Sequence, residues 1–335
     1  MNYLYYNIDL QITINRNLQF TVCQSIHIES NVDVLTDNAI IELPRNYRNA
    51  INEVGNSVNI SGKSILNFMK KGDPINIGFG YDGDVKTEFE GYISKIGSET
   101  PLVIECEDEM YQLKRLPKIT KFIKSNKVFD ILRSVIPPKY AIWMDAEYTI
   151  GNWLIDKQTP YEVLEELREK VGIRAYFKNP YILVVGMTID FEPEKSHYYN
   201  FSRNVRIGSD LKFIEKDELY HLEVTSVQKN GSVISLSKGV KGGTEKVIDL
   251  PSGLKKEELQ KWLDAKYHIA TKEGFEGTLD GWCYPRTKAG DAVEIERPIY
   301  EDKHQDGKYF IEGVTIDVNG SDGIKRQNRI SYKLK

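Results

Sequence analysis

The sequence predicts a mainly β protein with an α/β insert: two small related β-barrel domains with a middle α/β domain between them. Three observations point there. A three-strand meander from Gly72 to Arg115 is followed, far along the chain, by a second one from Gly290. Period-2 apolar patterns fill most of both ends, whereas the middle carries helical spacing. The 20 tyrosines suit strands and interfaces.

The first meander sets the grammar. Gly72 and Asp73 open a strand in which Ile75, Ile77 and Phe79 alternate. Tyr81, Asp82, Gly83 and Asp84 follow, and Asp-Gly is a strong hairpin signal. The chain returns through Phe89–Ile96 with Glu90 and Gly91 inside it, and Leu102–Cys106 makes a third pass. In the second copy Gly290 and Asp291 open Ala292–Glu296, a polar tip covers Tyr300–Gly307, and Tyr309–Ile316 returns with Glu312 and Gly313 inside it. Ile330–Tyr332 is the third pass. Pairing Gly72 and Asp73 with Gly290 and Asp291, and Glu90 and Gly91 with Glu312 and Gly313, makes the second copy about four residues longer, which its longer tip absorbs. The two copies are expected to superpose.

Around them, residues 3–43 read as strands, including Leu18–Ile28 and Val32–Leu43, the latter closed by Pro44. Tyr47–Ser61 is polar and reads as a loop, and Ile65, Leu66, Phe68 and Met69 as one helical turn. Asn126–Ile136 has a helix face stopped by Pro137 and Pro138, and Ala141–Ile150 reads as a strand. The clearest helix starts at Thr159, with Pro160 in the first position and Glu162 completing a capping box; Gly172 ends it. A hairpin follows around Lys178–Pro180, a second around Asn230 and Gly231, and Lys256–Thr271 is a further helix before Gly274. The expected domains are therefore 1–115, 116–200, and 201–335 with an inserted helix.

Composition narrows function. A net charge of −4 disfavours a dedicated nucleic-acid binder, which needs a basic patch. No apolar run has the length of a membrane span, and the first residues lack a signal-peptide pattern. Cys23, Cys106 and Cys283 read as buried thiols of a chain made in a reducing cytosol. The five histidines are dispersed with no metal-site frame, and no cofactor is expected. Gly62-Lys63-Ser64 would end a phosphate loop only with Gly at position 57, where Ser57 stands. The acidic run Glu105, Glu107, Asp108 and Glu109 is the one candidate for catalytic carboxylates or a hard cation; a solvated face is its plainer reading.

The order of elements resembles the hub protein of contractile-tail baseplates: the late-control D family of phages and the hub half of VgrG spike proteins. The residues that carry it are Gly72-Asp73 and its strand, Gly80–Gly83, Phe89–Ile93, Pro101–Asp108, the helix from Thr159 to Gly172, and the second meander from Gly290. The resemblance implies a homotrimeric ring with two barrels per chain, joining a sixfold tail tube to a threefold spike. Its implied partners are further copies of itself, a tail tube protein, a spike protein and a tape-measure protein. It implies a location in the virion tail, after synthesis in a bacterial host, with no catalytic residue. No lysozyme-like domain or β-helix repeat follows Lys335, so the spike is expected to be a separate chain. The channel wall is expected to be neutral to acidic, so that anionic cargo is not held. The competing readings are a cell-wall or glycan-active enzyme using Glu105, Glu107 or Asp108, and a carbohydrate-binding β-protein using exposed Trp and Tyr.

Overall fold

Alternation of apolar residues and short turn signals produce strands along most of the chain. The computed structural model describes residues 7–16, 18–52, 54–61, 63–124, 127–144, 146–186, 195–215, 219–297 and 305–334. The first part holds β1 (Ile8–Ile14), β2 (Leu18–Phe20), β3 (Ser25–Asn31), β4 (Asn38–Leu43), β5 (Asn49–Asn52), β6 (Ser57–Asn59), β7 (Pro74–Tyr81), β8 (Lys86–Ile96) and β9 (Leu102–Glu107). The middle holds α1 (Met110–Arg115), β10 (Ile119–Ile123), α2 (Val128–Val135), β11 (Ala141–Met144), β12 (Trp153–Gln158), α3 (Pro160–Val171), β13 (Arg174–Asn179) and β14 (Ile182–Gly186). The last part holds β15 (Ser196–Asn200), β16 (Asp210–Ile214), β17 (Tyr220–Val227), β18 (Val233–Gly239), β19 (Thr244–Asp249), α4 (Lys256–Ala270), β20 (Gly274–Gly281), β21 (Ala292–Glu296), β22 (Gly307–Asn319) and β23 (Gly323–Lys333).

The two β sections are not separate sheets. One hydrogen-bonded path runs β16-β20-β23-β22-β3-β4-β9-β8-β7-β1-β2-β5-β6, with β21 also beside β22 and β15 beside β21. Within it the order β3-β4-β9-β8-β7 is repeated as β16-β20-β23-β22-β21. The structural repeat thus spans five strands, two more than the meander itself.

Core membership redraws the expected domain boundaries. One core joins residues of 12–106 to Tyr199 and residues of 275–330. The second joins Leu35 and residues of 110–185 to residues of 220–263. β17–β19 and α4, expected in the last domain, therefore pack with the middle one, where Leu259, Trp262 and Leu263 meet its core. β15, expected in the middle, pairs with β21 in the large sheet.

Local chemistry explains the middle helices. Thr159 Oγ1 accepts the Glu162 N–H at 3.2 Å, and Glu162 Oε2 accepts the Thr159 N–H at 2.6 Å. Gly172 ends α3 with φ 72°, a conformation in which a Cβ is strained. The helix expected from Asn126 begins at Val128; Asn126 lies outside the described residues, as do Gly62 and residues 300–304 of the polar tip. Several elements depart from expectation. Leu18–Ile28 and Val32–Leu43 are each interrupted, leaving β2, β3 and β4. Tyr47–Ser61 contains β5 and β6, the strand from Ala141 stops at Met144, and β12 and α1 follow no strong local signal.

Gly91 in β8 is a packing requirement. A Cβ there would lie 2.2 Å from the Glu107 carbonyl oxygen on β9. Gly91→Ala is expected to destabilise the chain by about 1–3 kcal/mol, by overpacking. Gly83→Ala is expected to cost less, because only its φ of 85° opposes a side chain and its Cβ meets nothing. Urea unfolding of both variants checks the order.

Candidate functional site

The site that the fold builds most elaborately is the junction of the two meanders. Both copies enter it through the same bonds. Gly72 donates its N–H to Ile93 O at 2.8 Å, and Gly290 donates to Ile311 O at 2.9 Å. Asp73 Oδ2 accepts from Lys70 N at 2.9 Å, and Asp291 Oδ2 from Lys288 N at 3.0 Å. Gly72 and Gly290 have φ of 92° and 90°. Each equivalence is a shift of 218 positions, and the ladders keep it: Pro74 faces Tyr92 as Ala292 faces Phe310. A bulge leaves Ser94 in β8 and Glu312 in β22 unpaired, at the same shift.

This register corrects one expectation. Glu90 and Gly91 correspond to Lys308 and Tyr309, and Glu312 and Gly313 to Ser94 and Lys95. The two Glu-Gly pairs are not equivalent; the extra length of the second copy lies elsewhere. Beyond the bulge, the β22–β23 hairpin is six residues longer than the β8–β9 hairpin, since Cys106 and Ile330 are 224 positions apart. Glu90 sits on an exposed face and accepts from Asn76 Nδ2 at 3.0 Å. Tyr81 ends β7, and Asp82 and Gly83 form the tip beyond it, with φ of 50° and 85°.

The extra length of β22 forms the junction. Gly313–Asn319 pairs antiparallel with Asn31–Ser25 of β3. Ile316 faces Ile28 and Val318 faces Ile26 on the buried side. On the other side His27 Nδ1 and Asp317 Oδ1 are 2.6 Å apart, and His27 Nε2 lies 3.1 Å from Glu29. Burial opposes a charge on His27, but these carboxylates outweigh it and raise its pKa.

Two charged networks brace the ladder. In the first, a bulge in β8 turns Glu88 inward. Its carboxylate pairs with Arg286, and with Arg326 Nη2 at 2.9 Å. The Glu88 side chain is 3% exposed and that of Arg326 0%, so removing one partner strands a buried charge, at about 3–5 kcal/mol. In the second, Asp33 pairs with Arg174 Nε at 2.5 Å and Glu312 with Arg329 Nε at 3.0 Å. Burial, then a hydrogen bond with Asp33, pushes the Glu312 carboxyl up to about 7. Sequence reasoning missed Glu88, Arg286, Arg326, Asp33 and Arg174, whose partners lie far along the chain.

The acidic run divides. Glu105 pairs with Lys95 at 2.7 Å and Glu107 with Lys114 at 2.6 Å, on a partly exposed face. Asp108 and Glu109 are buried, so they add nothing to an acidic outer wall. Asp108 Oδ1 accepts from Met110 N at 3.1 Å and helps start α1. Burial and the nearby Asp37 raise its pKa well above the usual range, and burial lifts Asp37 to about 6. Glu109 accepts from Tyr140 at 2.5 Å and Lys139 at 3.0 Å. Ser64 of the supposed phosphate loop accepts from Leu66 N at 3.4 Å as a helix cap. A cleft of about 1090 Å³ lies beside the junction, bordered by Ser30, Glu88, Arg326, Trp143 and Tyr176. Among the described residues no group of His, Cys, Asp and Glu is arranged to hold a metal ion, and no helix is long and apolar enough to cross a membrane.

No family model and no curated protein matches the sequence. Solved structures do match the fold over nearly its whole length. A tail protein from Neisseria meningitidis MC58 superposes with a TM-score of 0.66 at 14% identity, covering 97% of this chain and 96% of that one. The 43 kDa tail protein of prophage MuSo2 from Shewanella oneidensis gives 0.63 at 13% identity, covering 97% and 98%. An E. coli type VI secretion component, described as similar to T4 bacteriophage tail proteins gp27 and gp5, gives 0.57 at 9% identity, covering 100% of this chain and 76% of that one. The chain has the fold of these tail proteins.

The junction is expected to be acid-strengthened. The raised pKa of Glu312 means that the folded state holds its proton more tightly, so this stabilisation is full below pH ~4.5 and lost as pH rises through about 7. The raised pKa of His27 acts in the same direction, its share being lost as pH rises through the folded value. The melting temperature is therefore expected to fall between pH 5 and pH 8, less steeply in Glu312→Gln; thermal melts across this range check it.

Proposed function

We propose that the protein is a structural hub of a contractile phage tail or a related injection particle, a homotrimeric ring that works by assembly and not by turnover. The observation that carries this reading is the way the in-chain junction ends. β3 of the first copy lies against β22 of the second. Its counterpart in the second copy, β16, ends the hydrogen-bonded path. The counterpart of the β22 segment that receives β3 is the end of β8, from Lys95 onward, which takes no strand on that side among the described residues. One chain therefore offers one used junction and the two halves of an unused one. Pairing β16 of one chain with the end of β8 of the next reproduces the in-chain arrangement, and three chains would place six copies around an axis.

The residues bordering β16 suit such a contact. Ile207, just before β16, is fully exposed and Ile214, its last residue, is 45% exposed, and among the described residues β16 is an edge strand, a template for pairing. The likeness to tail proteins supports the same reading at the level of fold. A ring of this kind would bind a tail tube protein on one side and a spike protein on the other, with a tape-measure protein as a further partner.

Light scattering of the pure protein is expected to give a mass about three times 38.5 kDa. Ile207→Asp with Ile214→Lys is expected to give folded monomers, with an unchanged far-ultraviolet circular dichroism spectrum. A wild-type protein that stays monomeric across the micromolar range overturns the ring.

A further inference from the structure

A chain that carries two similar copies faces a pairing problem. If the strand pattern alone guided association, copy one would join copy one of another molecule as readily as its own copy two. The buried charges at the junction break this equivalence. Glu88 comes from the first copy; Arg286 and Arg326 come from the second. Within the second copy Arg326 Nη1 is held by Thr287 O at 2.8 Å, so the two arginines converge before the first copy is considered. Glu88 supplies the carboxylate between them.

The counterparts of the two arginines lack these charges, whereas Glu88 has Asp306 at the 218-position shift. Arg326 stands 224 positions after Leu102, which is 0% exposed, and Arg286 stands 218 after Phe68. Pairing two first copies would set Glu88 against apolar counterparts, with no cation. Pairing two second copies would set both arginines against Asp306, a shorter carboxylate that accepts from Arg297 N at 3.2 Å in its own copy. The first arrangement buries an uncompensated charge and the second offers a carboxylate one methylene shorter, costs that the mixed pairing avoids.

The rest of the contact is equally one-sided. Arg286 Nη2 donates to Phe79 O at 3.0 Å and Asp84 O at 2.8 Å, both in the first copy's hairpin. Gly80 makes room for it, since a Cβ there would lie 2.7 Å from Arg286 Nη2. Tyr284 OH donates to Asp84 Oδ2 at 2.5 Å. We infer that Glu88, Arg286 and Arg326 are the specificity determinants that make the first half of this chain accept only the second half at this junction. Their role is discrimination between like and unlike copies, beyond any gain in stability, and it holds whether the finished particle is a monomer or a ring.

Three full-length variants test this by melting temperature and native mass spectrometry. Glu88→Leu leaves two buried arginines unpaired and is expected to lower the melting temperature by on the order of 10 °C. The apolar triple Glu88→Leu/Arg286→Met/Arg326→Leu is expected to recover most of that loss, because a buried ion pair replaced as a unit is often neutral. It is also expected to lose discrimination: where wild type gives one mass species, the triple gives several. The polar triple Glu88→Gln/Arg286→Gln/Arg326→Gln provides the same mass readout if the apolar one fails to fold. A Glu88→Leu protein as stable as wild type overturns the inference, as does a folded triple that keeps the single wild-type species.

Discussion

The antiparallel ladder between β3 and β22 is the constraint on which the remaining architecture depends. It runs from the Gly313/Asn31 pair to the Asn319/Ser25 pair and joins residues almost three hundred positions apart. Its register is fixed from both sides. Ile26, Ile28, Ile316 and Val318 must face the core, and His27 must meet Asp317 on the outer face. A slip by one residue would exchange these sets and bury the charged pair. Without the ladder the large sheet would divide in two between β3 and β22.

The bulge at Glu312 makes this possible. β22 must serve two neighbours on one side, β21 through its first residues and β3 through its last. An extra residue turns the strand between them, and the Glu312 carbonyl accepts the Val32 N–H at 2.9 Å where β3 ends. The same bulge directs the Glu312 side chain toward Arg329 and the Asp33 turn. Backbone geometry and charge are thereby set by one residue. The Glu-Gly pair singled out in the sequence does matter here, although the reason is a bulge next to a foreign strand and not a match to Glu90 and Gly91.

Much of the fold was legible because its signals are local. The hairpin at Asp82 and Gly83 follows from two residues that tolerate positive φ, and α3 follows from Thr159, Pro160, Glu162 and Gly172. The strands β5 and β6 were not legible, being three or four residues long in a polar stretch. α1 was hidden because it begins within an acidic run and its N-cap makes no side-chain bond. The boundary of the middle domain was misplaced because helix α4 shows an apolar face without showing which core it meets. The junction charges were the least legible of all. Glu88 reads as an ordinary polar residue in a strand until the pairing of β7 with β8 reveals the bulge that turns it inward.

The two copies share one strand order and differ in what fills it. On β9 the inward positions are Leu102, Ile104 and Cys106; on β23 their counterparts are Arg326, Asn328 and Ile330. Arg326 and Asn328 are fully buried, and Asn328 Nδ2 is satisfied by Tyr199 OH at 3.0 Å and Leu279 O at 3.1 Å. A polar interior of this sort gains little net stability over a hydrocarbon one, since each group must first lose its water. It does demand specific partners at specific angles, which a hydrocarbon core does not. On β9 these inward positions are filled with hydrocarbon and a thiol, and on β23 two of the three carry groups that need particular partners. The unequal hairpins act in the same sense: β22 runs far enough to hold β3 over seven residues, and β8 stops three residues after Ile93. Two copies alike in strand length and core chemistry would be interchangeable. The altered strand length and the altered core chemistry give the chain a fixed order of its parts.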